Sequence, residues 1–287
     1  MRVVAIVAAR NEQRFITDCL EHLFRQGVQG YLIDNESTDR TVALAERFLG
    51  RGLVGIETMP HQGIYRWRAI LERKEQIGAA LGADWIMHVD ADEMPLPPPW
   101  ASSLAAAYAR VEAQGYNAVN FLEFTFVPTR EAPDHDRPDF QRTMRWYYPF
   151  IPAVPFLMRA WKRQPLPVEL SWSGGHLVRF PDLRVCPESF AMRHYLFLSV
   201  PHAVEKYVKR AYDPAEVEMG WHGWRAKLTR AMIELPMQEE LREYSSDHEM
   251  DATNPRTTHY LDDLVCARAS AAPRGRYVPR WALRGRF

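Results

Sequence analysis

Strand-like apolar segments alternate with helix-like segments through the first 96 residues of this sequence. The strand-like segments are residues 3–8, 31–33, 53–58 and 85–89, and the helix-like segments are residues 12–26, a stretch from Val42 to Phe48, and residues 67–81. Short connections in this order are typical of βαβ units, so the sequence predicts an α/β fold with a mostly parallel sheet and helices on both faces. Asn11 and Thr38 precede the first two helices and are predicted as their N-caps.

Polar residues follow three of the predicted strands where each strand ends, at residues 9–12, 34–39 and 90–93. Ligands of a parallel sheet bind at the carboxyl ends of its strands. Three polar clusters at one edge therefore predict a ligand site rather than three unrelated solvated turns. Carboxylates there can accept from base or ribose groups, and amides at a helix N-terminus can donate to phosphate oxygens. These parts suit a nucleoside diphosphate.

The third cluster places two aspartates and a glutamate, Asp90, Asp92 and Glu93, directly after a buried strand. Side chains alternate along an extended chain, so Asp90 and Asp92 can point the same way. Their charges repel unless a cation lies between them, and Mg²⁺ and Mn²⁺ prefer such oxygen ligands. The sequence predicts a divalent-metal site, and the alternative is a solvated acidic turn.

Composition limits the classes of protein that fit. The chain has 287 residues, 47% of them hydrophobic, which is enough for one large or two small domains. Its formal net charge is zero, so no overall attraction to nucleic acid is expected. Three scattered cysteines indicate a reducing compartment and match no zinc motif. No signal peptide or membrane-spanning run is recognisable, so the expected location is cytoplasmic.

The motifs at the three strand ends resemble those of family 2 glycosyltransferases. They read Ala9-Arg10-Asn11-Glu12, Asp34-Asn35-Glu36-Ser37-Thr38-Asp39-Arg40-Thr41 and Asp90-Ala91-Asp92-Glu93, in that order within about the first 125 residues. The last of them is similar to the branch of the family that carries a late His-Tyr pair, here His194-Tyr195. The resemblance implies the Rossmann-like GT-A fold and a nucleotide-sugar donor of the UDP or GDP type.

The resemblance also implies which residues bind the donor. They are Ala8, Ala9, Arg10, Asn11, Glu12, Asp34, Asn35, Ser37, Arg73 and Asp90. Backbone near Ala8 and Ala9, with Glu12, is implied to line the nucleoside pocket, and Asp34 to accept from the base. Arg73 is implied to contact the phosphates, although Lys74 after it stands where the family usually has Asn.

A divalent ion, Mn²⁺ or Mg²⁺, is implied to bridge the diphosphate. Asp92 is its implied ligand, and Asp90 is implied to face either the ribose or the metal. A late histidine is implied as a further ligand, with His194 the first candidate and His176 the second. The alternative for both histidines is a hydrogen-bonded structural role.

Family 2 members mostly invert the anomeric centre, which requires a general base near the acceptor hydroxyl. Glu169 stands at about the right distance before His194 by analogy with the family's acidic motif, but it lacks the acid that usually follows. It is the candidate base. Four other acids stay open, namely Glu123, Asp134, Asp136 and Glu188.

The remainder of the chain is divided by its composition. We expect a nucleotide-sugar-binding half over 1–125, an acceptor-side half with a lid-like loop over 126–198, C-terminal helices over 199–263 and a basic tail over 264–287. Helices are predicted over 199–213 and 220–244. In the loop, His135 lies between two aspartates and is either a metal ligand or part of a mobile surface segment. Six aromatics suit a sugar-stacking platform or the core: Trp146, Tyr147, Tyr148, Phe150, Phe156 and Trp161.

The tail carries six arginines after Asp263, interleaved with apolar residues. It is predicted to be disordered, or alternatively to touch an anionic membrane that carries a lipid-linked acceptor. The function predicted for the chain is metal-dependent transfer of a sugar to a saccharide or lipid-linked acceptor, in cell-surface polysaccharide or glycoconjugate synthesis. The alternative is a non-catalytic nucleotide- or carbohydrate-binding protein.

Overall fold

The computed structural model describes residues 1–152, 154 and 156–269, which divide into two compact units. Unit 1 comprises Met1–Gln62, Arg68–Leu122 and Phe156–His194. Unit 2 comprises Gly63–Trp67, residues 123–155 and the chain from Tyr195 onward.

The described chain forms strands and helices with the following bounds. The strands are β1 Val3–Ala9, β2 Val28–Asp34, β3 Leu53–Thr58, β4 Trp85–Asp90, β5 Glu93–Leu96, β6 Ala118–Phe126, β7 Trp146–Phe150, β8 Met158–Lys162, β9 Phe190–Tyr195 and β10 Arg242–Glu243. The α-helices are α1 Ile16–Arg25, α2 Thr41–Glu46, α3 Trp67–Ala80, α4 Leu104–Ala113, α5 Phe140–Thr143, α6 Val200–Ala203, α7 Pro214–Glu218 and α8 Tyr260–Ala269.

Unit 1 contains the predicted parallel sheet. Its strand order is β3-β2-β1-β4-β8, followed by the first half of β6. Strands β1 to β4 are mutually parallel, whereas β8 runs antiparallel to β4 and β6. A separate antiparallel ladder joins β5 to β9. This arrangement confirms the α/β fold with a largely parallel sheet that the sequence predicts.

The central strands of unit 1 are apolar because both faces of the sheet are covered. β1 and β4 are buried along almost their whole lengths. α1 buries Ile16, Cys19 and Leu20, which recur at helical spacing on one face. On β4, the Trp85 ring stacks on Tyr108 of α4 with centroids 4.9 Å apart. β4 is therefore packed into the core of unit 1 from its first residue, Trp85, onward.

The two predicted N-caps are wrong. α1 begins only at Ile16, and no side chain caps it. Asn11 instead adopts a left-handed conformation with φ of 57°, and its Oδ1 accepts a hydrogen bond from the Thr38 backbone amide at 2.7 Å. The amide of Thr41 at the start of α2 donates to Asp39 rather than to Thr38. The asparagine side chain links two loops because its turn lies too far from the helix to cap it.

Unit 2 contains the second half of β6, which pairs antiparallel with β7, and β7 pairs in turn with β10. The aromatic residues of β7 belong to the core, since Tyr147, Tyr148 and Phe150 are all buried. In unit 1 Trp161 is buried as well. These four residues therefore do not form an exposed sugar platform.

The predicted helix over 220–244 is wrong. This region contains three short 3₁₀ turns, at Arg225–Lys227, Arg230–Met232 and Gln238–Glu240. Gly220 and His222 both have positive φ, and Pro236 cannot donate a helical hydrogen bond, so a continuous helix is disfavoured. The predicted helix over 199–213 is shorter than expected: α6 continues into a single π-type turn that ends at Val208.

The first six residues of the predicted disordered tail are helical. Residues 264–269 belong to α8, whose Leu261 and Val265 are buried one helical turn apart. The remainder of the tail, 270–287, lies outside the described residues. Among the residues described, no helix is long and apolar enough to cross a membrane.

His135 in unit 2 is a structural histidine of its loop. Its Nδ1 lies 2.9 Å from the Thr143 hydroxyl, and its Nε2 lies 3.1 Å from the Ala132 carbonyl oxygen. Burial lowers the pKa of His135, so the folded state favours the neutral ring. A lowered folded-state pKa contributes stability above the unfolded value near 6.5 that is lost as the pH falls through the folded value.

We therefore expect acidification from pH 7.5 to 5.5 to lower the melting temperature of the wild type more than that of His135→Gln. The measurement is thermal unfolding across this pH range. His248→Gln is the control, because that residue lies in a different loop. A parallel decline of wild type and His135→Gln would rule out this role for His135.

Candidate functional site

Three strand ends of unit 1 lie side by side at the carboxyl edge of the sheet. In the register of the parallel strands, Ala9 of β1 pairs with Asp34 of β2. On the other side of β1, Ala8 pairs with Asp90 of β4. The clusters that the sequence analysis selected therefore meet at one edge.

The loops after β1 and β2 are joined by a dense set of hydrogen bonds. The Arg10 guanidinium donates to the carbonyl oxygens of Asn35 and Glu36, at 2.6 and 2.5 Å. The Asn11 backbone amide donates to the Ser37 hydroxyl at 3.0 Å. These contacts use several of the predicted donor-binding side chains to shape the edge itself.

Asp34 and its neighbours continue this frame. Asp34 is only 3% exposed, and both of its carboxylate oxygens accept from the Ser37 amide at 3.2 Å. The Asn35 side-chain amide donates to the Met59 carbonyl at 2.9 Å. The Glu12 backbone amide donates to the Thr41 hydroxyl at 2.8 Å. Asp34 is thus held in one orientation at the end of β2.

Asp92 and His194 come together through the β5–β9 ladder. Glu93, the first residue of β5, lies directly opposite His194 of β9. This register brings His194 Nε2 to 3.2 Å from Asp92 Oδ2, although the two residues are 102 positions apart. Both side chains are largely buried, with 8% of Asp92 and 11% of His194 exposed.

Glu93 points into the interior, where it pairs with Arg159 of β8. Its second oxygen accepts a hydrogen bond from the Asp90 backbone amide at 3.0 Å. Burial raises the pKa of Glu93 to about 7, against the opposing effect of the Arg159 charge. This glutamate therefore anchors the turn between β4 and β5 from the interior of unit 1.

Asp90 is paired with a buried lysine that the sequence analysis did not select. Lys74 of α3 is fully buried, and its Nζ lies 3.6 Å from Asp90 Oδ1. Nζ also lies 2.7 Å from Nδ1 of His88 and donates to the Val89 carbonyl at 3.1 Å. Burial lowers the pKa of Lys74 to about 8, and burial followed by the Lys74 charge lowers the pKa of His88 well below its usual value.

Arg73 lies beside Lys74 in sequence but points elsewhere. Its guanidinium binds the Glu57 carboxylate of β3 through Nε and Nη2, each at 2.7 Å. Glu57 also accepts from the Tyr31 hydroxyl at 3.1 Å. The cation of α3 that contacts the Asp-x-Asp motif is therefore Lys74. The sequence feature that could have indicated this role is the lysine at a position where the family usually has Asn.

The candidate base Glu169 lies in an ion pair in unit 1. It accepts from Nε of Arg179 at 2.7 Å and half of its side chain is exposed. The Arg179 guanidinium also covers the Trp172 ring at 4.9 Å. In the same unit Glu188 accepts from the Trp100 indole at 2.8 Å.

The remaining acids named as possible bases belong to unit 2. Glu123 is buried and accepts from the Thr125 hydroxyl at 2.6 Å. Asp134 accepts from the backbone amide of Asp136 at 2.9 Å.

The residues at the edge can supply two ligands to a divalent ion. Across the described residues, no three His, Cys, Asp or Glu side chains gather as a preformed metal site. The Asp92 oxygen and the His194 nitrogen are nevertheless 3.2 Å apart. Adjacent ligands of an octahedral ion with bonds of about 2.1 Å are separated by about 3 Å, and Mg²⁺ is commonly held by only one or two protein groups plus substrate phosphates. The pair therefore fits such an ion.

In open α/β sheets ligands bind at the carboxyl ends of the strands, and in this chain that edge carries the Asp-x-Asp cluster. The family model for glycosyl transferase family 2 matches residues 4–166. That is more than half of the chain, and it includes all three strand ends. The chain belongs to glycosyl transferase family 2.

Several solved structures are similar to this chain. TarS 1–349 from S. aureus in complex with UDP matches with a TM-score of 0.43 and 12% identity, over 69% of this chain and 61% of that one. A mannosyltransferase, PcManGT, from Pyrobaculum calidifontis in complex with GDP-Man and Mn²⁺ matches with a TM-score of 0.40 and 16% identity, over 68% and 57%. The match thus spans about three fifths of each relative. No curated protein sequence matches significantly.

Proposed function

We propose that the protein transfers a sugar from a nucleoside-diphosphate donor to an acceptor hydroxyl. The observation that carries the proposal is the contact between Asp92 and His194. Asp92 follows β4 at the edge of the sheet where β1, β2 and β4 end. Family membership supports the reaction class. The site supports a nucleoside-diphosphate donor, because an anionic diphosphate requires a cation and Asp92 and His194 can hold one.

The donor is proposed to lie along the strand ends. Asp34, held by the Ser37 amide, accepts from the base, and the backbone at Ala8 and Ala9 lines the nucleoside pocket. Asp90 faces the ribose or the ion. Arg73 is held by Glu57, so its contact with the phosphates would require that ion pair to open.

Asp92 and His194 would hold Mn²⁺ or Mg²⁺. When bound, the ion would act as a Lewis acid that neutralises charge on the departing diphosphate. The chain's own part is to keep the two ligands together by the β5–β9 register and to keep them shielded from bulk water. In this shielded setting their interaction with the ion is stronger than it would be at the surface.

The proposal extends to the acceptor. The acceptor would be a saccharide or lipid-linked saccharide of a cell-surface polysaccharide or glycoconjugate, and the arginine-rich tail would contact the membrane that carries it. Glu169 is proposed as the general base of an inverting transfer. Its ion pair with Arg179 would have to open for it to accept a proton.

Nucleotide binding is the direct test. We expect Mn²⁺ together with one nucleoside diphosphate, from a panel that includes UDP and GDP, to raise the melting temperature of the wild type but not of Asp92→Ala. A ligand that binds only the folded state at a hundredfold excess over its Kd adds about 2.7 kcal/mol of stability. The absence of a shift with every nucleotide, with and without metal, would contradict the proposed donor site.

The non-catalytic alternative is separated by turnover. A transferase supplied with its nucleotide-sugar donor slowly transfers the sugar to water even without acceptor, and so releases the nucleoside diphosphate. A binding protein leaves the donor intact. Chromatographic detection of released UDP or GDP over hours, with Asp92→Ala as the blank, distinguishes the two functions.

A further inference from the structure

Each carboxylate of the acidic turn that follows β4 has its own partner. Three carboxylates fall within four positions, and the described contacts give each its own partner in unit 1: Lys74 for Asp90, His194 for Asp92 and Arg159 for Glu93. Two of these partners, Lys74 and Arg159, are basic side chains. Of the three carboxylates, Asp92 is the one that can bind a metal ion without taking the partner of a buried basic side chain.

Lys74 is fixed more tightly than an ordinary salt-bridge partner. It is completely buried, and its ammonium group contacts three consecutive residues at the end of β4. Its contacts with His88 Nδ1 and with the Val89 carbonyl oxygen hold the ammonium group within ion-pair distance of the Asp90 carboxylate. Arg73 and Glu75 on either side of it point to other partners, Glu57 and the amides of residues 170 and 171. The charge therefore cannot swing away from Asp90 without unpacking α3.

We propose that Lys74 is a positioning residue of the donor site, a built-in counter-charge that fixes the Asp90 carboxylate at the end of β4 and leaves the divalent ion to Asp92 and His194. This inference rests on the proposed function and deepens it. Asp90 and Lys74 then act as one unit toward the donor. Neither residue is useful to the site without the other.

The test is a double-mutant cycle with calorimetric binding as its readout. The variants are Lys74→Met, Asp90→Asn and the double variant, each titrated with UDP and with GDP in Mn²⁺. Methionine keeps most of the volume of the buried side chain. We expect each single substitution to weaken binding of the nucleotide that the wild type prefers by at least tenfold. The double variant should bind no more weakly than the weaker single variant, because residues that act as a unit are not additive.

A second readout separates positioning from metal ligation. Mn²⁺ alone is titrated into each protein and followed by electron paramagnetic resonance. We expect the double variant Lys74→Met/Asp90→Asn to keep Mn²⁺ affinity within threefold of the wild type, whereas Asp92→Asn loses it by more than thirtyfold. The control is Lys162→Met, since Lys162 pairs with Glu112 in a half-exposed ion pair.

Different results contradict different claims. If the wild type binds neither nucleotide, the proposed function fails. If it binds one but Lys74→Met binds it equally well, or if the effects of the two single substitutions multiply in the double variant, Lys74 is only a core residue. A loss of Mn²⁺ affinity in the double variant as large as that in Asp92→Asn would make Asp90 a metal ligand. Because the double variant removes both members of the Lys74–Asp90 pair, it keeps the test valid if Lys74→Met alone fails to fold.

Discussion

Replacing Asp92 by Asn is expected to reduce donor turnover about 1000-fold, which corresponds to about 4 kcal/mol of transition-state stabilisation. The amide keeps the size of the side chain but removes the charge that would hold the ion beside His194. Folding should change little, because the asparagine oxygen can still accept a hydrogen bond from His194. The measurement is the rate of sugar transfer or donor hydrolysis at saturating Mn²⁺.

Asp84→Asn is the matched control for this variant. Asp84 precedes the same strand at its opposite end, where its carboxylate accepts from the Arg2 amide at 2.6 Å. We expect its turnover to stay within threefold of the wild type. Equal losses of turnover in the two variants would mean that Asp92 has no special role in the reaction, and would contradict the proposed metal site.

Replacing Arg159 by Met is expected to destabilise the fold by about 3–5 kcal/mol, because it leaves the Glu93 carboxylate buried without its cation. The Glu93 side chain is only 1% exposed and its pKa is already raised to about 7 by burial. A raised folded-state pKa means that stability is present below the unfolded value near 4.5 and is lost as the pH rises through the folded value. The destabilisation should therefore be larger at pH 8 than at pH 5.

Urea unfolding at both pH values measures this effect. Arg73→Met is the matched control, since the Arg73–Glu57 pair is partly exposed, with 42% and 20% of the side chains accessible, and such pairs contribute less than about 1 kcal/mol. The double variant Arg159→Met/Glu93→Gln should recover most of the loss. A loss for Arg159→Met no greater than for Arg73→Met would show that the buried pair does not anchor the turn.

The sheet edge was predictable because its determinants are local. Residues 3–9, 28–34 and 85–90 are apolar strands that end in polar residues, and parallel strands in sequence order bring such ends together. The sequence alone does not reveal the contact between Asp92 and His194, because it depends on the β5–β9 register across 102 positions. His194 was selected through the resemblance to the family, and the structure gives the physical route.

Lys74 and the 220–244 region show where local reasoning fails. Burial decides the role of Lys74, and apart from its departure from the family pattern the sequence does not mark this lysine as pointing inward. The region around Gly220 contains many good helix formers, yet its backbone takes positive φ at Gly220 and His222. Gly220 and Pro236 also interrupt this region, and neither residue favours the interior of a helix.

The most direct measurement is a crystal structure with Mn²⁺ and UDP or GDP, whichever the thermal-shift panel selects, recorded with anomalous scattering from the metal. The account predicts one strong manganese peak bonded to Asp92 and His194, with the diphosphate on its open side and the base near Asp34. A peak elsewhere, or a nucleotide bound away from the ends of β1, β2 and β4, would contradict the proposed donor site.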